Sequence, residues 1–291
     1  VFIGIHDKKD TTLPSHYISA SNIIPKLSKT NIKGVREIQS GAPFAFIFTS
    51  GTTGMPKASI QTHRKWLSCM YWFGKVNLGL NSKDVIYVSI PFYHSNALLI
   101  AWSSSAASGA AMAIRRKFSA SEFWKDAIQY KATAFIYIGD ICRYLYNTPA
   151  SSLDTQHHIN KIIGNGLRPD IWKGFKERFN IKEVYEFYAS SEGNMTFTNT
   201  LNLDNTVGWC ATKFEIIEYD REKGEPIYDR KGFLKKVKWG EVGLMIFEIS
   251  DKYPFPGYIK KEENEKKIFR NAFSKNDLWY NTGDIMRNIG F

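Results

Sequence analysis

Cysteine is scarce in this sequence, and the scarcity excludes several classes of protein. The 291 residues contain three cysteines, Cys69, Cys142 and Cys210, and none of them forms a C-x-x-C pair. An odd number of widely spaced cysteines argues against a disulfide framework and against a zinc site. The pattern is typical of buried or free thiols in a reducing compartment.

A long, purely apolar run is also missing. The uncharged segment 97–114 exceeds the lower limit of about 17 residues for a membrane-spanning helix, but serines, a glycine and several alanines dilute it. We therefore predict a helix and a strand packed inside a domain. The sequence also shows no nucleic-acid-binding module, so nucleic acid is not an expected partner.

Acidic residues are too few to balance the basic ones, and the formal net charge is +11. This excess suits phosphate-bearing ligands or an anionic membrane surface. The charge is spread out, since segment 260–267 mixes both signs and is predicted to be a solvated surface. Hydrophobic residues make up 43% of the chain, which is enough for the core of one large domain or two smaller ones.

The most informative stretch is FIFTSGTTGMPK, residues 46–57. Residues 44–48 are predicted to form a strand inside a sheet, because the run is apolar on both faces. The hydroxyls, bare glycine amides and single lysine that follow are the groups a polyphosphate needs. The Walker pattern fails here, since Pro56 and Ala58 stand where it needs glycine and a hydroxyl. A flexible turn without a ligand stays the alternative.

Strand-like and helix-like segments alternate between residues 44 and 188, which predicts a largely parallel sheet. The loops GNG (164–166) and ASSEG (189–193) each follow a predicted strand, so they are expected at one edge of the sheet. The predicted strands are 84–90, 132–138, 161–164 and 183–188. One predicted helix begins with a capping box of Ser119 and Glu122, and a second has Pro169 in its first turn.

After about Thr206 the sequence changes character. KFEIIEYD and GEVGLMIFEI are strand-like, and the segments between them give no helical signal. We predict a mostly antiparallel subdomain next to the α/β part.

The loop at 49–57, YEFYASSEG and YNTGD occur in the order and spacing of the adenylate-forming superfamily, which the chain resembles from about Gly41 onward. Three further stretches resemble its branch of fatty-acid transport proteins and very-long-chain acyl-CoA synthetases: residues 115–149, GNGLRPDIW and EGNMTFTN. The resemblance implies an α/β fold, the mostly parallel large N-terminal domain of an adenylate-forming enzyme followed by a β-rich subdomain. The implied divisions are 1–40, the end of an N-terminal subdomain; 41–206, an ATP- and acyl-binding core; and 207–291, the β-rich subdomain.

The resemblance also implies roles for individual residues, with ATP, Mg²⁺ and coenzyme A as cofactors and co-substrate. Catalysis is expected from Lys57, Thr53 and Glu192, with Glu192 as the Mg²⁺ ligand. The phosphates are expected at Thr49, Ser50, Gly51, Thr52, Thr53, Gly54, Lys57 and Ser191. Adenine and ribose are expected at Gly164, Asn165, Gly166, Tyr188 and Asp284. The fatty acid is expected at Tyr93, His94, Asn96 and Gly139.

Two departures from the family pattern are expected to matter. Ser191 stands where the family usually has threonine, and its hydroxyl keeps the phosphate contact available. The hinge and small C-terminal domain are expected beyond Phe291, and the branch's membrane segment before Val1. The resemblance thus implies membrane association on a cytosolic face, at the endoplasmic reticulum, peroxisome or plasma membrane, through segments outside this sequence.

The implied activity is a long- or very-long-chain fatty acid:CoA ligase that works through an acyl-AMP intermediate, with coupling to fatty-acid uptake left open. One alternative is a non-enzymatic fatty-acid binding or transport protein, although it would have little use for the phosphate loop with Glu192 and Asp284. Another is an adenylating enzyme for a different acid. An amino-acid substrate is disfavoured because segment 93–99 contains no carboxylate.

Overall fold

The structure is a computed structural model of the chain, and it describes residues 2–4, 17–19, 24–28, 30, 37–49, 56–193 and 195–287. The chain divides into two compact units, Val1–Gln39 and Ser40–Phe291. In the first unit, strands β1 (Phe2–Gly4) and β2 (Tyr17–Ser19) pair in parallel, and a short 3₁₀ helix spans Ile24–Lys26.

The second unit contains two large sheets and the helices that connect their strands. Its strands are β3 (Pro43–Thr49), β4 (Lys57–Thr62), β5 (Val85–Val88), β6 (Ala111–Ile114), β7 (Ala134–Ile138), β8 (Lys161–Asn165), β9 (Glu183–Ala189), β10 (Thr196–Thr198), β11 (Trp209–Cys210), β12 (Phe214–Ile217), β13 (Tyr219–Asp220), β14 (Glu225–Pro226), β15 (Val242–Glu248), β16 (Ile268–Arg270) and β17 (Leu278–Arg287). Its α-helices are α1 (His63–Cys69), α2 (Trp102–Ser108), α3 (Phe123–Gln129), α4 (Gly139–Tyr146), α5 (Pro169–Arg178) and α6 (Lys261–Glu265). Two π-helical segments, Met70–Leu78 and Asn96–Ala101, run directly into or out of these helices, and a 3₁₀ turn spans Ser152–Asp154.

The larger sheet has seven strands in the order β11-β10-β9-β8-β7-β5-β6. The five strands from β9 to β6 are parallel, whereas β10 and β11 are antiparallel additions at one side. The predicted parallel sheet is therefore confirmed. Because β8 and β9 are neighbours, the GNG and ASSEG loops leave the same edge of the sheet side by side.

Aromatic side chains fill the space between this sheet and its helices. Phe135 and Tyr137 on β7 are fully buried, and Phe123 on α3 meets Phe135 edge to face with ring centroids 5.0 Å apart. The uncharged segment 97–114 contributes the second π-helical segment, α2 and β6, as predicted. Among the residues that the structure describes, none of the helices combines the length and apolarity of a membrane span.

The second sheet is antiparallel and follows the first in sequence, which confirms the predicted strand-rich region. Its order is β12-β15-β17-β16. Trp279 and Tyr280 on β17 and Phe247 on β15 are almost completely buried in its two small cores. The run KFEIIEYD does not form one strand, because pairing breaks at Glu218 between β12 and β13.

The prediction that residues 44–48 form a strand inside a sheet is wrong. In the part of the chain that the structure describes, strand β3 pairs only with β4, in a two-stranded antiparallel hairpin. Within it Ile47 is buried, whereas Phe46 and Phe48 are 51% and 70% exposed. An apolar run on both faces is consistent with a central strand but does not specify one, and here the hairpin leaves one face open.

The predicted capping box of Ser119 and Glu122 is also wrong. Helix α3 begins at Phe123, and its N-cap residue, Glu122, makes no side-chain cap. Glu122 instead pairs with Lys125 at 2.9 Å, and the Ser119 hydroxyl contacts that of Ser121. By contrast, Pro169 occupies the first turn of α5 as predicted.

Candidate functional site

The predicted phosphate loop connects the paired strands β3 and β4. Thr49 and Lys57 face each other at the open end of β3 and β4, and the Thr49 hydroxyl donates to the Lys57 carbonyl at 3.3 Å. The loop residues between them, Ser50, Gly51, Thr52, Thr53 and Gly54, lie outside the described residues. The hairpin thus brings the two ends of the predicted loop together.

The side chain of Lys57 lies in a mostly shielded ion pair. Its Nζ is 2.5 Å from Glu263 Oε2 at the start of α6, and 5.7 Å from the centroid of the Tyr258 ring. Hydrogen bonds from Lys57 and Lys266 lower the pKa of Glu263 to about 2. Lys57 is therefore held between the Glu263 carboxylate and the ring of Tyr258.

Tyr258 connects this hairpin to Glu192. The segment around Tyr258 pairs with β4, since Ile60 N–H donates to the Gly257 carbonyl at 3.0 Å. Burial and then a hydrogen bond to the Glu192 carboxylate raise the pKa of Tyr258 far above its usual value, and a hydrogen bond with Thr49 opposes them. The sequence analysis missed Tyr258, because its role depends on pairing between segments 200 residues apart in sequence.

Glu192 lies in the loop after β9 and is only 8% exposed. The Tyr280 hydroxyl donates to its Oε1 at 3.1 Å and also lies 2.9 Å from the Ser190 hydroxyl. The Glu192 carbonyl accepts from Gly257 N–H at 3.2 Å. The carboxylate is thus fixed from two sides, by the antiparallel sheet through Tyr280 and by the segment that carries Tyr258.

The chemistry of this position fits a Mg²⁺ ligand. Mg²⁺ commonly binds one or two carboxylates and takes its remaining ligands from substrate phosphates and water. Within the described ranges, no three His, Cys, Asp or Glu side chains cluster so that they could hold a metal by themselves. A single carboxylate surrounded by hydroxyls, as Glu192 is, suits an ion that arrives with a nucleotide.

Tyr188 and Asp284, predicted to hold the base and the ribose, lie in direct contact. The Tyr188 hydroxyl donates to Asp284 Oδ2 across the two sheets. Burial and this hydrogen bond raise the pKa of Tyr188 far above its usual value. Asp284 is exposed, whereas Tyr188 is half-buried against Phe197 with ring centroids 6.3 Å apart. The two strands, β9 and β17, therefore present these side chains at one place.

The GNG loop lies against the start of α4, where backbones come very close. A Cβ on Gly139 would lie only 1.9 Å from the Gly166 carbonyl oxygen, so any larger residue would push the two segments apart. Gly166 has a φ of +86°, which also favours glycine. Gly139 and Gly166 were predicted for different ligands. They lie in contact, and this close approach requires glycine at position 139.

Asn96 ties the predicted acyl segment to the GNG loop. Its Nδ2 donates to Asn165 Oδ1 at 2.8 Å and to the Tyr137 carbonyl at 3.1 Å, and the residue is 4% exposed. His94 Nδ1 accepts from the Asn96 backbone N–H at 3.1 Å, and burial lowers the pKa of His94. Tyr93 is 80% exposed, so it stands apart from this network.

Glu186 supports the GNG loop and was missed by the sequence analysis. Its carboxylate accepts from the backbone N–H groups of Gly166 and Leu167, and Tyr137 donates to Oε2 at 2.5 Å. Burial raises the pKa of Glu186 to about 7, although these hydrogen bonds oppose the shift. The indication in the sequence was an acidic residue within a predicted buried strand. A buried carboxylate needs hydrogen-bond partners, and the sequence does not reveal which residues they are.

A cavity of about 590 Å³ lies on the face of β10 opposite the one on which Phe197 meets Tyr188. Thr196 and Thr198 line it, whereas Phe197 between them packs toward Tyr188. Most of its wall is apolar, with Phe73, Trp72 and Trp209 among the lining residues, and Gly193 and Lys65 lie at the end near Glu192. The sequence analysis missed this cavity because its wall comes from segments far apart in sequence.

Comparisons with known proteins agree with the motifs. The sequence profile of the AMP-binding enzyme family matches residues 6–237. The chain is 46% identical over 261 residues to the medium/long-chain-fatty-acid–CoA ligase FadD6 of Mycobacterium tuberculosis, which covers 90% of this chain and 44% of that protein. It is 42% identical over 260 residues to long-chain fatty acid transport protein 2 of Rattus norvegicus, covering 86% and 41%.

These relatives match the branch that the sequence motifs resemble, and the chain spans less than half of their length. Among solved structures, the anthranilate CoA ligase AuaEII in complex with anthranoyl-AMP superposes with a TM-score of 0.74 at 17% identity. That alignment covers 98% of this chain and 51% of the other. The likeness confirms the expected fold.

Proposed function

The chain belongs to the AMP-binding enzyme family, and we propose that the protein is an ATP-dependent fatty acid:CoA ligase. In the proposed reaction, a fatty carboxylate attacks the α-phosphate of ATP to give acyl-AMP and pyrophosphate. The thiol of coenzyme A then attacks the acyl carbon and displaces AMP. The observation that carries the proposal is the position of Tyr258, which hydrogen-bonds to Glu192 and lies beside Lys57. Gly193, the next residue after Glu192, lines an apolar cavity.

The nucleotide is proposed to bind on the Tyr188 side of β9. Tyr188 offers its ring to adenine, and Asp284 offers a carboxylate to the ribose hydroxyls. The GNG loop borders the base, held by Glu186 and Asn96. Loop residues 49–54 and Lys57 bind the phosphates, with Lys57 and the backbone amides stabilising the negative charge that develops there.

Glu192 is proposed to hold Mg²⁺, with Ser191 as a phosphate contact. When bound, the ion neutralises phosphate charge and orients the nucleotide. The hydroxyls of Tyr280 and Tyr258 fix the Glu192 carboxylate for this role. A side-chain base is not needed for the first step, because a fatty carboxylate is already ionised at neutral pH.

The apolar cavity is proposed to hold the acyl chain. Its volume of about 590 Å³ falls in the range of about 300–1,000 Å³ typical of small-molecule sites. Gly193, next to Glu192, belongs to its wall, so an acyl chain bound there is proposed to place its carboxylate near the phosphates. The residues that the sequence analysis assigned to the fatty acid, Tyr93, His94, Asn96 and Gly139, are not among those that line this cavity.

The experiment that tests this proposal is a pyrophosphate-release assay on the whole protein with fatty acids of graded length. We expect release that depends on both ATP and a fatty acid, followed by thioester formation when coenzyme A is added. Binding of fatty acid without pyrophosphate release would instead support the carrier function. Release with aromatic acids in preference to fatty acids would support another adenylating activity.

Membrane association on a cytosolic face remains part of the proposal. It is supported by the resemblance to fatty-acid transport proteins and by the positive charge of the chain. Flotation of the whole protein with liposomes tests it directly. Recovery only in the unbound fraction, at both low and physiological salt, would contradict it.

A further inference from the structure

One cation contacts the loop that carries Glu192 from the cavity side. Lys65 Nζ lies 2.6 Å from the Ser191 carbonyl oxygen, 3.2 Å from that of Gly193 and 3.3 Å from that of Ser190. These carbonyls belong to the two residues before Glu192 and to the one after it. Lys65 stands on the first turn of α1, so 125 to 128 residues of sequence separate it from its partners.

The neighbouring strand supplies a second contact to the same loop. Gln61 Nε2 donates to the Ser191 carbonyl at 3.0 Å and to the Ser59 hydroxyl at 2.8 Å. Gln61 and Ser59 are fully buried. The end of β4 and the start of α1 therefore both donate hydrogen bonds to the loop that carries Glu192. Both elements follow the predicted phosphate loop in the sequence.

The chemistry of an ammonium group fits this arrangement. Lysine has three N–H donors and no acceptor, and three carbonyl oxygens converge on it. The positive charge also offsets the carbonyl dipoles that point toward one another next to the Glu192 carboxylate. Burial lowers the pKa of Lys65 to about 8, and the nearby Glu192 charge opposes the shift.

We infer that Lys65 is a positioning residue, which fixes the backbone of the loop 190–193 and thereby holds the Glu192 carboxylate at the phosphate side of the site. The inference rests on the proposed function only in what Glu192 then binds. Lys65 also lines the cavity, but its three donors point to carbonyl partners. It is therefore assigned to the loop and not to the carboxylate of a substrate.

The test compares three variants of the whole protein. Lys65→Met keeps the length of the side chain and removes the charge, and Lys65→Arg keeps the charge with a different donor geometry. Lys75→Met is the matched control, because Lys75 is an exposed lysine on the π-helical segment that continues α1. Hydrogen exchange is measured at the Gly193 amide, which donates to Ser190, and at the Gly257 amide, which donates to Glu192.

We expect Lys65→Met to speed exchange at both amides by about 10- to 100-fold, the effect of losing hydrogen bonds to a charged group. The ratio kcat/KM for MgATP should fall by a similar factor, while KM for the fatty acid changes less than about threefold. Lys65→Arg should recover part of both losses, and Lys75→Met should match the wild-type protein.

Two results would overturn the inference. Unchanged exchange at Gly193 and Gly257 in Lys65→Met would show that Lys65 does not hold the loop. A rise in KM for the fatty acid alone would show that Lys65 binds the substrate carboxylate. If the wild-type protein has no ligase activity, the proposed function fails, and the exchange measurement still decides the role of Lys65.

Discussion

The side-chain amide of Asn96 donates a hydrogen bond to Asn165 Oδ1 at 2.8 Å. Asn96 belongs to the segment expected beside the acyl group, and Asn165 to the loop expected beside adenine. Because the same Nδ2 also donates to the Tyr137 carbonyl, the network continues through Tyr137 to Glu186. One buried polar network therefore connects the two predicted substrate regions.

Removing the amide of Asn96 should loosen this network. In Asn96→Leu, Asn165 Oδ1 and the Tyr137 carbonyl lose a buried donor, so we expect a loss of about 1–3 kcal/mol in unfolding free energy. Urea denaturation measures it. Asn147→Leu, at an exposed position after α4, is the control and should stay near wild type. Equal stabilities of the two variants would contradict the buried network.

Glu192→Gln should abolish pyrophosphate release while the fold stays intact. The amide keeps an acceptor for the Tyr280 hydroxyl but loses the charge expected to bind Mg²⁺. Pyrophosphate release measures the activity, and circular dichroism checks the fold. Glu265→Gln, in an exposed pair with Arg270, is the control. Near wild-type release by Glu192→Gln would show that the metal assignment is wrong.

Lys57→Met should slow the first step by about 10²–10³, the usual effect of removing one preorganised electrostatic contact. Glu263 keeps its second partner, Lys266, at 2.9 Å, so little destabilisation is expected. The rate of acyl-AMP formation in single turnovers is the measurement. Lys236→Met removes an exposed lysine paired with Glu215 and serves as the control. An effect below about threefold would place Lys57 outside the phosphate site.

Glu186 should make stability depend on pH. Because its pKa is raised to about 7 from 4.5, the folded protein takes up the proton more readily than the unfolded chain does. The stability that this group contributes is full below pH 4.5 and is lost as pH rises to about 7, a change on the order of 3 kcal/mol. Glu186→Gln should flatten that fall in urea denaturation. A variant that keeps the wild-type slope would exclude Glu186 as the source.

Filling the cavity should shift the acyl preference to shorter chains. Ala211 lines the cavity, and Ala211→Phe adds a ring without removing a polar contact. We expect kcat/KM to fall most for the longest fatty acids and to change little for short ones, as measured by pyrophosphate release. A uniform fall across all chain lengths would argue against this cavity as the acyl site.

The parallel sheet could be predicted because its strands are continuous apolar runs with helices between them. Val184 and Ile162, for example, are fully buried on adjacent strands, as their apolar neighbours suggest. Strand β3 is also a continuous apolar run, but it pairs with β4 in a hairpin and not with the strands of the parallel sheet. An apolar run does not determine which strand it pairs with. The two exposed phenylalanines of β3 show the limit of that signal.

Site residues that lie at the ends of strands within short motifs could be predicted from the sequence. Residues that hold other site residues in place through hydrogen bonds were much harder to predict. Glu192 and Tyr188 come from short motifs. Lys65, Tyr258 and Glu186 act through contacts with segments from 19 to about 200 residues away, so their partners appear only in three dimensions. The assigned roles of the loop residues remain predictions, and the variants above test those at Glu192 and Lys57.

Along the paired strands β9 and β10, side chains alternate between the two faces of the sheet. Tyr188 and Phe197 face one side of the sheet, whereas Thr196 and Thr198 face the cavity on the other. The two strands therefore separate the side of the sheet that carries Tyr188 from the side that carries the apolar cavity, and the loop with Glu192 lies at their edge. Substitutions on one side of the sheet can alter the fit of one substrate while leaving the opposite wall untouched.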